Sequence, residues 1–287
     1  MVTKAAQEIK MKKTILITGA SSGIGRAAVK RFAKNGWNVV ATMRTPANEM
    51  ELTQLSDVLV TRLDVQDHRS IDEAIGAGLA HFGRIDALIN NAGYGQYGLL
   101  EATPREKIQE QFDVNLFGVM DVTRAILPHF RRNGTGLIIN VSSGAGLFTL
   151  PMASIYCASK FALEGFSEAV AYELVSQNIT VKLVEPHGGV SETAFNERGA
   201  ADNATDPSLT DYDDFLKRTT HAFAQMSAAR SINADEVAAA IYGAAVDGTD
   251  RLRYLVGNDA RGFVKARQEM SDQEYVRFMR SHFLRTT

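Results

Sequence analysis

The chain has 287 residues, of which 45% are hydrophobic and 22% charged, and its formal net charge is −2. Its basic residues are scattered, so the composition predicts neither a nucleic-acid partner nor attachment to an anionic membrane. The single cysteine, Cys157, excludes an intramolecular disulfide and is typical of a reducing compartment. No apolar run approaches the ~20 residues of a membrane span. Because the N-terminus also lacks an apolar signal core, we expect a cytoplasmic protein.

A chain of this length can form one large α/β core. We expect a flexible extension over residues 1–11 and a single domain over residues 12–287. Within that domain, residues 187–228 are predicted to form a substrate lid, because small polar residues are concentrated between positions 195 and 208. Residues 259–287 are predicted to form a helical C-terminal extension.

The first chemical motif is a glycine-rich turn after a short apolar strand. Residues 13–18 (KTILIT) predict the strand, and a helical pattern over residues 27–35 follows the turn. This order is typical of a dinucleotide-binding site, in which glycines let the backbone approach the pyrophosphate and the helix N-terminus stabilises its charge. The alternative is an ordinary turn. The predicted cofactor contacts here are Gly19, Ser21, Ser22, Gly23, Ile24 and Gly25.

The end of the second predicted strand, residues 38–43, bears on the choice of cofactor. Sites that prefer NAD place an acidic residue there to accept hydrogen bonds from the ribose hydroxyls. This chain has Met43 instead, followed by Arg44, whose guanidinium can pair with a 2′-phosphate. The sequence therefore predicts NADP(H) as the preferred cofactor, with NAD(H) possible. The alternative for Arg44 is a solvated side chain at a strand end.

The next two predicted strands end in further candidate cofactor contacts. Residues 58–64 form the third strand, whose end places Asp64 and Val65 beside the adenine pocket. Residues 87–89 form the fourth and lead into Asn90-Asn91-Ala92-Gly93. That tetrapeptide could be a mere turn, but its position favours a structural role combined with cofactor binding by Asn91, Ala92 and Gly93.

One long helix is predicted over residues 104–127, with Thr103 as its N-cap and Pro104 in its first turn. Asn115 falls in the middle of this helix among apolar residues, so its amide needs hydrogen-bond partners. A kink with a trapped water would provide them. The other helices are predicted over residues 70–82, 156–176, 212–226 and 234–246, and the last strand over residues 253–256.

The candidate chemistry is carried by three residues in the part of the chain that follows the fourth strand. The fifth predicted strand, residues 136–141, delivers Ser143 to its carboxyl end, where parallel α/β sheets bind ligands. Tyr156 and Lys160 are four residues apart, so they share a helix face. A tyrosine that exchanges a proton near neutral pH has a pKa about 3 units too high, and a neighbouring cation lowers it. The alternative is a surface Tyr-Lys pair.

With these motifs in place, the chain resembles the short-chain dehydrogenase/reductase family from Lys12 to about Val256. The resemblance rests on the order and spacing of several motifs. They are Thr18-Gly19-x-x-x-Gly23-x-Gly25, Asp64, Asn90-Asn91-Ala92-Gly93, Asn115, Ser143 and Tyr156-x-x-x-Lys160. The resemblance implies an α/β fold of Rossmann type, with a doubly wound, seven-stranded parallel sheet and helices on both faces.

The resemblance also implies a catalytic tetrad of Asn115, Ser143, Tyr156 and Lys160, without a metal. Ser143 would hydrogen-bond the substrate oxygen, and Tyr156 would exchange its proton. Lys160 would hold the nicotinamide ribose and lower the pKa of Tyr156, so the Tyr-Lys pair also contacts the cofactor. Asn115 would anchor a proton-relay water. The thirteen-residue spacing to Tyr156 favours Ser143 over Ser142.

The chain departs from the family pattern after the sixth predicted strand, residues 180–185. His187 follows Pro186 where the family usually has glycine, and Thr193 comes about two positions late. Pro186, Gly188 and Thr193 are the cofactor contacts expected in this segment. His187 is interpreted as a pocket or loop-packing residue rather than a catalytic one.

These features favour an NADP(H)-dependent oxidoreductase that interconverts a hydrophobic ketone or aldehyde and its alcohol by hydride transfer. The alternative is a catalytically silent dinucleotide-sensing or scaffold protein on the same fold, although Tyr156 and Lys160 are both present. A lyase or epimerase belongs to longer relatives, and the glycine spacing argues against it.

The substrate pocket is predicted to be more apolar and aromatic than charged, which favours a steroid-like, retinoid-like or aromatic compound. The resemblance further implies a homodimer or homotetramer, in which the helices over residues 104–127 and 156–176 pack across a two-fold axis. The candidate pocket residues are Tyr94, Gln96, Tyr97, Ala145, Phe148, Met152, His187, Phe195 and Met226.

Overall fold

A computed structural model describes residues 12–187, 190–191, 204, 206–227, 232–259 and 261–283. The predicted extension over residues 1–11 lies outside the described residues, and so do Gly188, Thr193 and Phe195. The side chain of Met226 lies outside them as well.

Seven parallel strands form one sheet, in the order β3-β2-β1-β4-β5-β6-β9, and β7 pairs with β8 separately. This order confirms the doubly wound, Rossmann-type sheet. The strands are β1 (Thr14–Ile17), β2 (Asn38–Met43), β3 (Val58–Arg62), β4 (Ala87–Asn90), β5 (Gly136–Val141), β6 (Ile179–Pro186), β7 (Val190–Ser191), β8 (Ile232–Asn233) and β9 (Arg253–Val256).

Helices cover both faces of this sheet. None of those within the described ranges is long and apolar enough to cross a membrane. The α-helices of the described ranges are α1 (Gly23–Lys34), α2 (His68–Phe82), α3 (Arg105–Phe112), α4 (Gly118–Asn133), α5 (Ser154–Leu174), α6 (Asp213–Ser227), α7 (Ala234–Val246), α8 (Phe263–Glu269) and α9 (Asp272–Phe283).

The core lies in two layers because side chains of a strand alternate between the faces of a sheet. In β1, Ile15 and Ile17 pack with Phe32 of α1 and Ile241 of α7. Leu16 points to the other face, where it packs in the cluster formed with α2, α4 and α5. Burial on both faces explains the continuous apolar runs of the central strands.

The helix predicted over residues 104–127 differs from the prediction at both ends and at its N-cap. It begins at Arg105, and Pro104 is its N-cap with φ −60° and ψ 146°. Thr103 is not the cap, because its hydroxyl donates to the carbonyl of Leu99 at 2.8 Å. A π-helical segment, Asp113–Phe117, separates α3 from α4, and the last turn extends to Asn133.

A buried polar network ties the carboxyl ends of β4 and β5 to the helices behind them. Asn90 and Asn140 are partners in the register of these strands. Asn90 Nδ2 donates to Asn140 Oδ1 at 2.9 Å and to Thr123 Oγ1 of α4 at 3.2 Å. Asn140 Nδ2 donates to Ser167 Oγ of α5 at 2.8 Å. The network therefore fixes α5, the helix of the Tyr-Lys pair, against the sheet.

Candidate active site

A cleft of about 480 Å³ opens at the carboxyl ends of the strands, where the strand order reverses between β1 and β4. This is the place where open parallel sheets bind ligands. Among the predicted site residues, the following line the cleft: Gly19, Ser21, Ser22, Gly23, Ile24, Arg44, Asp64, Val65, Asn91, Ala92, Gly93, Ser143, Tyr156, Lys160 and Pro186.

The glycine turn is shaped by a close approach to the segment after β4. Gly19 has φ +68°, and a Cβ there would lie 2.8 Å from Ala92 Cα. A Cβ on Gly25 would collide with the Gly19 carbonyl and lie 2.5 Å from Asn91 Nδ2. Gly25 therefore lies behind the cleft wall and supports it, because only glycine leaves this space free.

Asn91 and Thr18 hold that turn in place. The Asn91 amide donates to the carbonyls of Thr18 at 2.9 Å and Gly19 at 3.1 Å. The Thr18 hydroxyl accepts from the backbone N–H groups of Asn91 at 3.0 Å and Ala92 at 3.1 Å. The tetrapeptide after β4 is thus a brace for the glycine turn as well as part of the cleft wall.

Met43 and Arg44 occupy one end of the cleft, and Asp64 and Val65 lie there as well. Met43 is only 3% exposed and packs in the core, whereas Arg44 is exposed. Within the part of the chain that the structure describes, the Arg44 guanidinium has no hydrogen bond or ion pair. Its five N–H donors are therefore available to a ligand.

Asn115 is buried behind the cleft rather than in its wall. Its Oδ1 accepts from Tyr94 N at 3.1 Å, and its Nδ2 donates to Tyr94 O at 2.9 Å and Ser159 Oγ at 3.3 Å. The expectation that a trapped water satisfies this amide is wrong, because backbone and side-chain groups of the protein do so. A π-helical segment provides the predicted distortion of the helix.

Ser143 and Tyr156 meet across the cleft. Ser143 precedes the short 3-10 turn Gly144–Gly146, and its hydroxyl accepts from Ala145 N at 3.1 Å. The same hydroxyl is hydrogen-bonded to the Tyr156 side chain. Ser143, and not the neighbouring Ser142, is therefore the serine beside the tyrosine.

Lys160 lies under Tyr156, with its Nζ 5.9 Å from the centre of the tyrosine ring. Lys160 Nζ donates to the carbonyl of Val141, the last residue of β5, at 2.9 Å. Burial lowers the pKa of Lys160 to about 8, although the carboxylate of Glu164 raises it. The ammonium is thus held in the site at a cost in solvation.

Tyr156 differs from the expectation of a lowered pKa. Burial raises the pKa of Tyr156 to about 12, and the hydrogen bond with Ser143 opposes this effect only in part. Tyr156 is therefore a hydroxyl at neutral pH, ready to donate a proton.

Aromatic and apolar side chains form much of the remaining cleft wall. Of the predicted pocket residues, Gln96 and Met152 do not line it. The Gln96 amide donates to the carbonyl of Tyr97 at 3.1 Å, and Met152 has φ 61° in the loop before α5. The predicted residues that do line it are Tyr94, Tyr97, Ala145, Phe148 and His187. Leu150 and Glu110 also line it, although neither was predicted.

His187 is held between two glycines. It is 6% exposed. A Cβ on Gly144 would lie 2.5 Å from His187 Cβ, and a Cβ on Gly257 would collide with the His187 carbonyl. This packing supports the loop-packing interpretation of His187, whose backbone N–H also donates to Val256 O at 2.9 Å.

The C-terminal helices support the cleft from outside. Phe148, in the cleft wall, packs edge-on against Phe263 of α8 with ring centroids 5.3 Å apart. The Tyr275 hydroxyl of α9 accepts from Thr149 N at 3.3 Å. Phe223 of α6 joins the same apolar cluster. The chain beyond β9 is therefore part of the pocket's support.

The comparisons with known proteins agree with this geometry. A sequence profile described as short chain dehydrogenase matches residues 13–204. An uncharacterized oxidoreductase of Schizosaccharomyces pombe is 38% identical over 235 residues, which cover 82% of this chain and 96% of the relative. The 3-ketodihydrosphingosine reductase of Bacteroides thetaiotaomicron is 37% identical over 203 residues, which cover 71% of this chain and 73% of the relative.

Solved structures show the same fold. A short-chain dehydrogenase/reductase from Burkholderia phymatum in complex with NAD has a TM-score of 0.74 at 27% identity, covering 90% of this chain and 93% of that chain. The structure of ElxO with NADP bound has a TM-score of 0.69 at 25% identity, covering 85% and 98% respectively. The chain belongs to the short-chain dehydrogenase/reductase family and is an oxidoreductase.

The packing of His187 predicts different costs for alanine at two glycines with positive φ. Gly257 has φ +118° and no room beside His187, whereas Gly248 has φ +69° and nothing within 4 Å of the added Cβ. We expect Gly248→Ala to cost about 1 kcal/mol from backbone strain alone, and Gly257→Ala about 2–4 kcal/mol because its φ is more strained for alanine and a clash is added. Urea unfolding of both variants measures the difference; equal losses would contradict the packing of His187.

Proposed function

We propose that the protein is an NADP(H)-dependent oxidoreductase that interconverts a hydrophobic ketone or aldehyde and its alcohol. The observation that carries the proposal is the convergence of Ser143, Tyr156 and Lys160 on the cleft that also contains the glycine turn. The Tyr156 hydroxyl as proton donor, the Ser143 hydroxyl as hydrogen-bond donor and the buried Lys160 ammonium thus face one space of ligand size. That combination is suited to exchange of a proton at a carbonyl oxygen.

The described residues fit a bound NADP(H), which supplies or accepts the hydride. The glycine turn lines the cleft at the N-terminus of α1, where Ser22 makes no side-chain cap hydrogen bond, so the backbone N–H groups of the first turn would meet the pyrophosphate. Arg44, without a partner in the described ranges, would bind the 2′-phosphate. Lys160 would hold the nicotinamide ribose. The NAD and NADP complexes of the Burkholderia phymatum enzyme and ElxO support a nicotinamide cofactor here.

The chain's own residues then handle the proton. In the direction of reduction, Ser143 hydrogen-bonds the substrate oxygen, and Tyr156 gives its proton to that oxygen. The Lys160 ammonium lies 5.9 Å from the tyrosine ring and stabilises the tyrosinate that forms. In oxidation the same groups work in reverse, and the tyrosinate accepts the proton of the alcohol.

The cleft wall supports an apolar substrate. Tyr94, Tyr97, Phe148 and Leu150 line it beside the catalytic groups. Such a wall favours a long or ring-containing carbonyl compound by burying its apolar surface. The likeness to a 3-ketodihydrosphingosine reductase supports a lipid-like ketone as the first substrate to test.

Exposed apolar side chains support a homodimer or homotetramer. Phe117 is 47% exposed in the π-helical segment, and Phe161 and Tyr172 of α5 are 37% and 70% exposed. Two copies that pack these helices across a two-fold axis would bury this surface. Light scattering of the purified chain gives the mass of the assembly.

Tyr156→Phe keeps the ring and removes the proton donor. We expect the rate of NADPH-dependent reduction of a long-chain ketone to fall by roughly 10²–10⁴-fold, while NADPH binding, followed by its fluorescence, is retained. Tyr242→Phe, on α7 and outside the cleft lining, is the matched control and keeps the full rate. Full activity of Tyr156→Phe would exclude the proposed mechanism.

The choice of cofactor is tested at Arg44. A hydrogen bond to a charged group is worth about 1.5–3 kcal/mol, so Arg44→Ala should reduce the preference for NADPH over NADH roughly ten- to a hundredfold. Because Met43 is buried in the core, the carboxylate that reverses the preference is better placed by Arg44→Asp than by Met43→Asp. The measurement is kcat/KM for both coenzymes.

Arg62→Ala is the control, because Arg62 is exposed and pairs with Asp67 outside the cleft. It should leave the coenzyme ratio unchanged. A wild-type enzyme that uses NADH as well as NADPH would show that Arg44 is only a solvated side chain.

A further inference from the structure

A second polar cluster lies beneath the active site and takes no part in the mechanism above. Glu164 of α5 and Glu185 of β6 are 6% and 2% exposed. Both face Arg253, the first residue of β9. Buried carboxylates without full compensation are costly, so this pair requires an explanation.

One guanidinium is shared among three carboxyl groups. Arg253 Nε donates to Glu164 Oε2 at 3.0 Å and lies 3.5 Å from Glu185 Oε1. Arg253 Nη2 donates to Glu168 Oε2 at 2.6 Å, and Glu168 is the exposed member of the group. Among the described residues, no group donates to Glu164 Oε1 or Glu185 Oε1, and both atoms are buried. Protonation of one of these two carboxyl groups would supply a donor.

Glu185 is the group that holds the proton. Burial, together with the charge and hydrogen bond of Glu164, raises the pKa of Glu185 to about 8, although the charges of Arg253 and Arg251 oppose the shift. The protonated Glu185 donates to Glu164, as two like carboxyl groups in contact require. A pair that shares one proton carries one negative charge in all.

Glu164 lies against both catalytic elements. It follows Lys160 by one turn of α5, so the two side chains share a helix face. A Cβ added to Gly146 would lie 2.9 Å from Glu164 Cγ and 3.2 Å from the Lys160 carbonyl. Gly146 closes the turn that begins after Ser143. Glu164 thus packs between the serine turn and the helix of the Tyr-Lys pair.

We propose that Glu164 and Glu185 share one proton and that the negative charge left on Glu164 stabilises the Lys160 ammonium. Both are positioning residues, because they act through Lys160 and not on substrate. The inference rests on the proposed role of Lys160. It adds that the cation is maintained by a buried charge from the protein itself.

The test is the titration of Lys160 in the whole chain labelled with [13Cε]lysine, followed by NMR without cofactor or substrate. Loss of one signal in Lys160→Met assigns it. Glu185→Gln keeps the donor and the charge on Glu164, so the midpoint of Lys160 should not move. Glu164→Gln combined with Glu185→Gln removes the charge, and the midpoint should fall by roughly half to one pH unit.

Glu168→Gln is the matched control. It removes a carboxylate from the same helix and the same arginine, but at an exposed site, so the Lys160 midpoint should stay in place. Equal shifts in Glu168→Gln and the double variant, or no shift in the double variant, would overturn the role of Glu164. Because the readout needs no turnover, this result is independent of whether the substrate class has been found.

The proton shared by Glu164 and Glu185 can be detected directly by infrared spectroscopy. This measurement tests the proposal even if the double variant does not fold. Infrared spectra at about pH 6.5, below the raised pKa of Glu185, should show the carbonyl stretch of a buried protonated carboxyl group. Glu185→Gln should abolish that band, and Glu168→Gln should retain it. Absence of the band from the wild type, or its persistence in Glu185→Gln, would overturn the shared proton.

Discussion

The burial of a cation at the carboxyl edge of the sheet is the constraint on which the site depends. Lys160 is 6% exposed, and its ammonium donates to the last carbonyl of β5. A charge in such a place persists only if the surrounding groups compensate for lost hydration. Val141, Tyr156 and Glu164 surround it. The position of α5 against β5 is therefore both a packing requirement of the fold and a requirement of the chemistry.

The parallel sheet brings the other parts of the site to this cation. The ends of β4 and β5 are aligned by their register and by the buried contact of Asn90 with Asn140. The turn after β1 is braced by Asn91, which follows β4. Beyond the sheet, Phe263 of α8 supports the wall that Phe148 forms. Each of these contacts joins segments distant in sequence, so the cleft forms only when the whole domain folds.

Local patterns predicted much of this arrangement. The bounds of β2 and β9 match because turn residues flank short runs that are rich in apolar and aromatic residues, and α7 begins after Asn233 as its capping residue predicts. Ser143 was placed beside Tyr156 by spacing. The contacts that local patterns could not predict are long-range. The Gln96 side-chain amide donates to the carbonyl of Tyr97 and does not line the cleft, and the Asn115 amide donates to the backbone carbonyl of Tyr94.

The pairing of Glu164 with Glu185 illustrates the same limit, since a helix and a strand must meet before two carboxyl groups can share a proton. The buried side chain of Met43 is a further case. Its strand was predicted correctly, yet the tight packing of the strand end against the core is a property of the assembled sheet. Sequence spacing therefore identifies the polar side chains that line the cleft better than it identifies what surrounds them.

The most direct test of the account is the pH dependence of reduction. Tyr156, with a pKa raised to about 12, is protonated throughout the working range, whereas Lys160, with a pKa lowered to about 8, loses its proton within it. We predict that kcat/KM for NADPH, which reports groups of the free enzyme, is highest below about pH 8 and falls as the pH rises through that value. A rate that is constant through this range and falls only where free tyrosine titrates, near pH ~10, would contradict the central role of the buried ammonium.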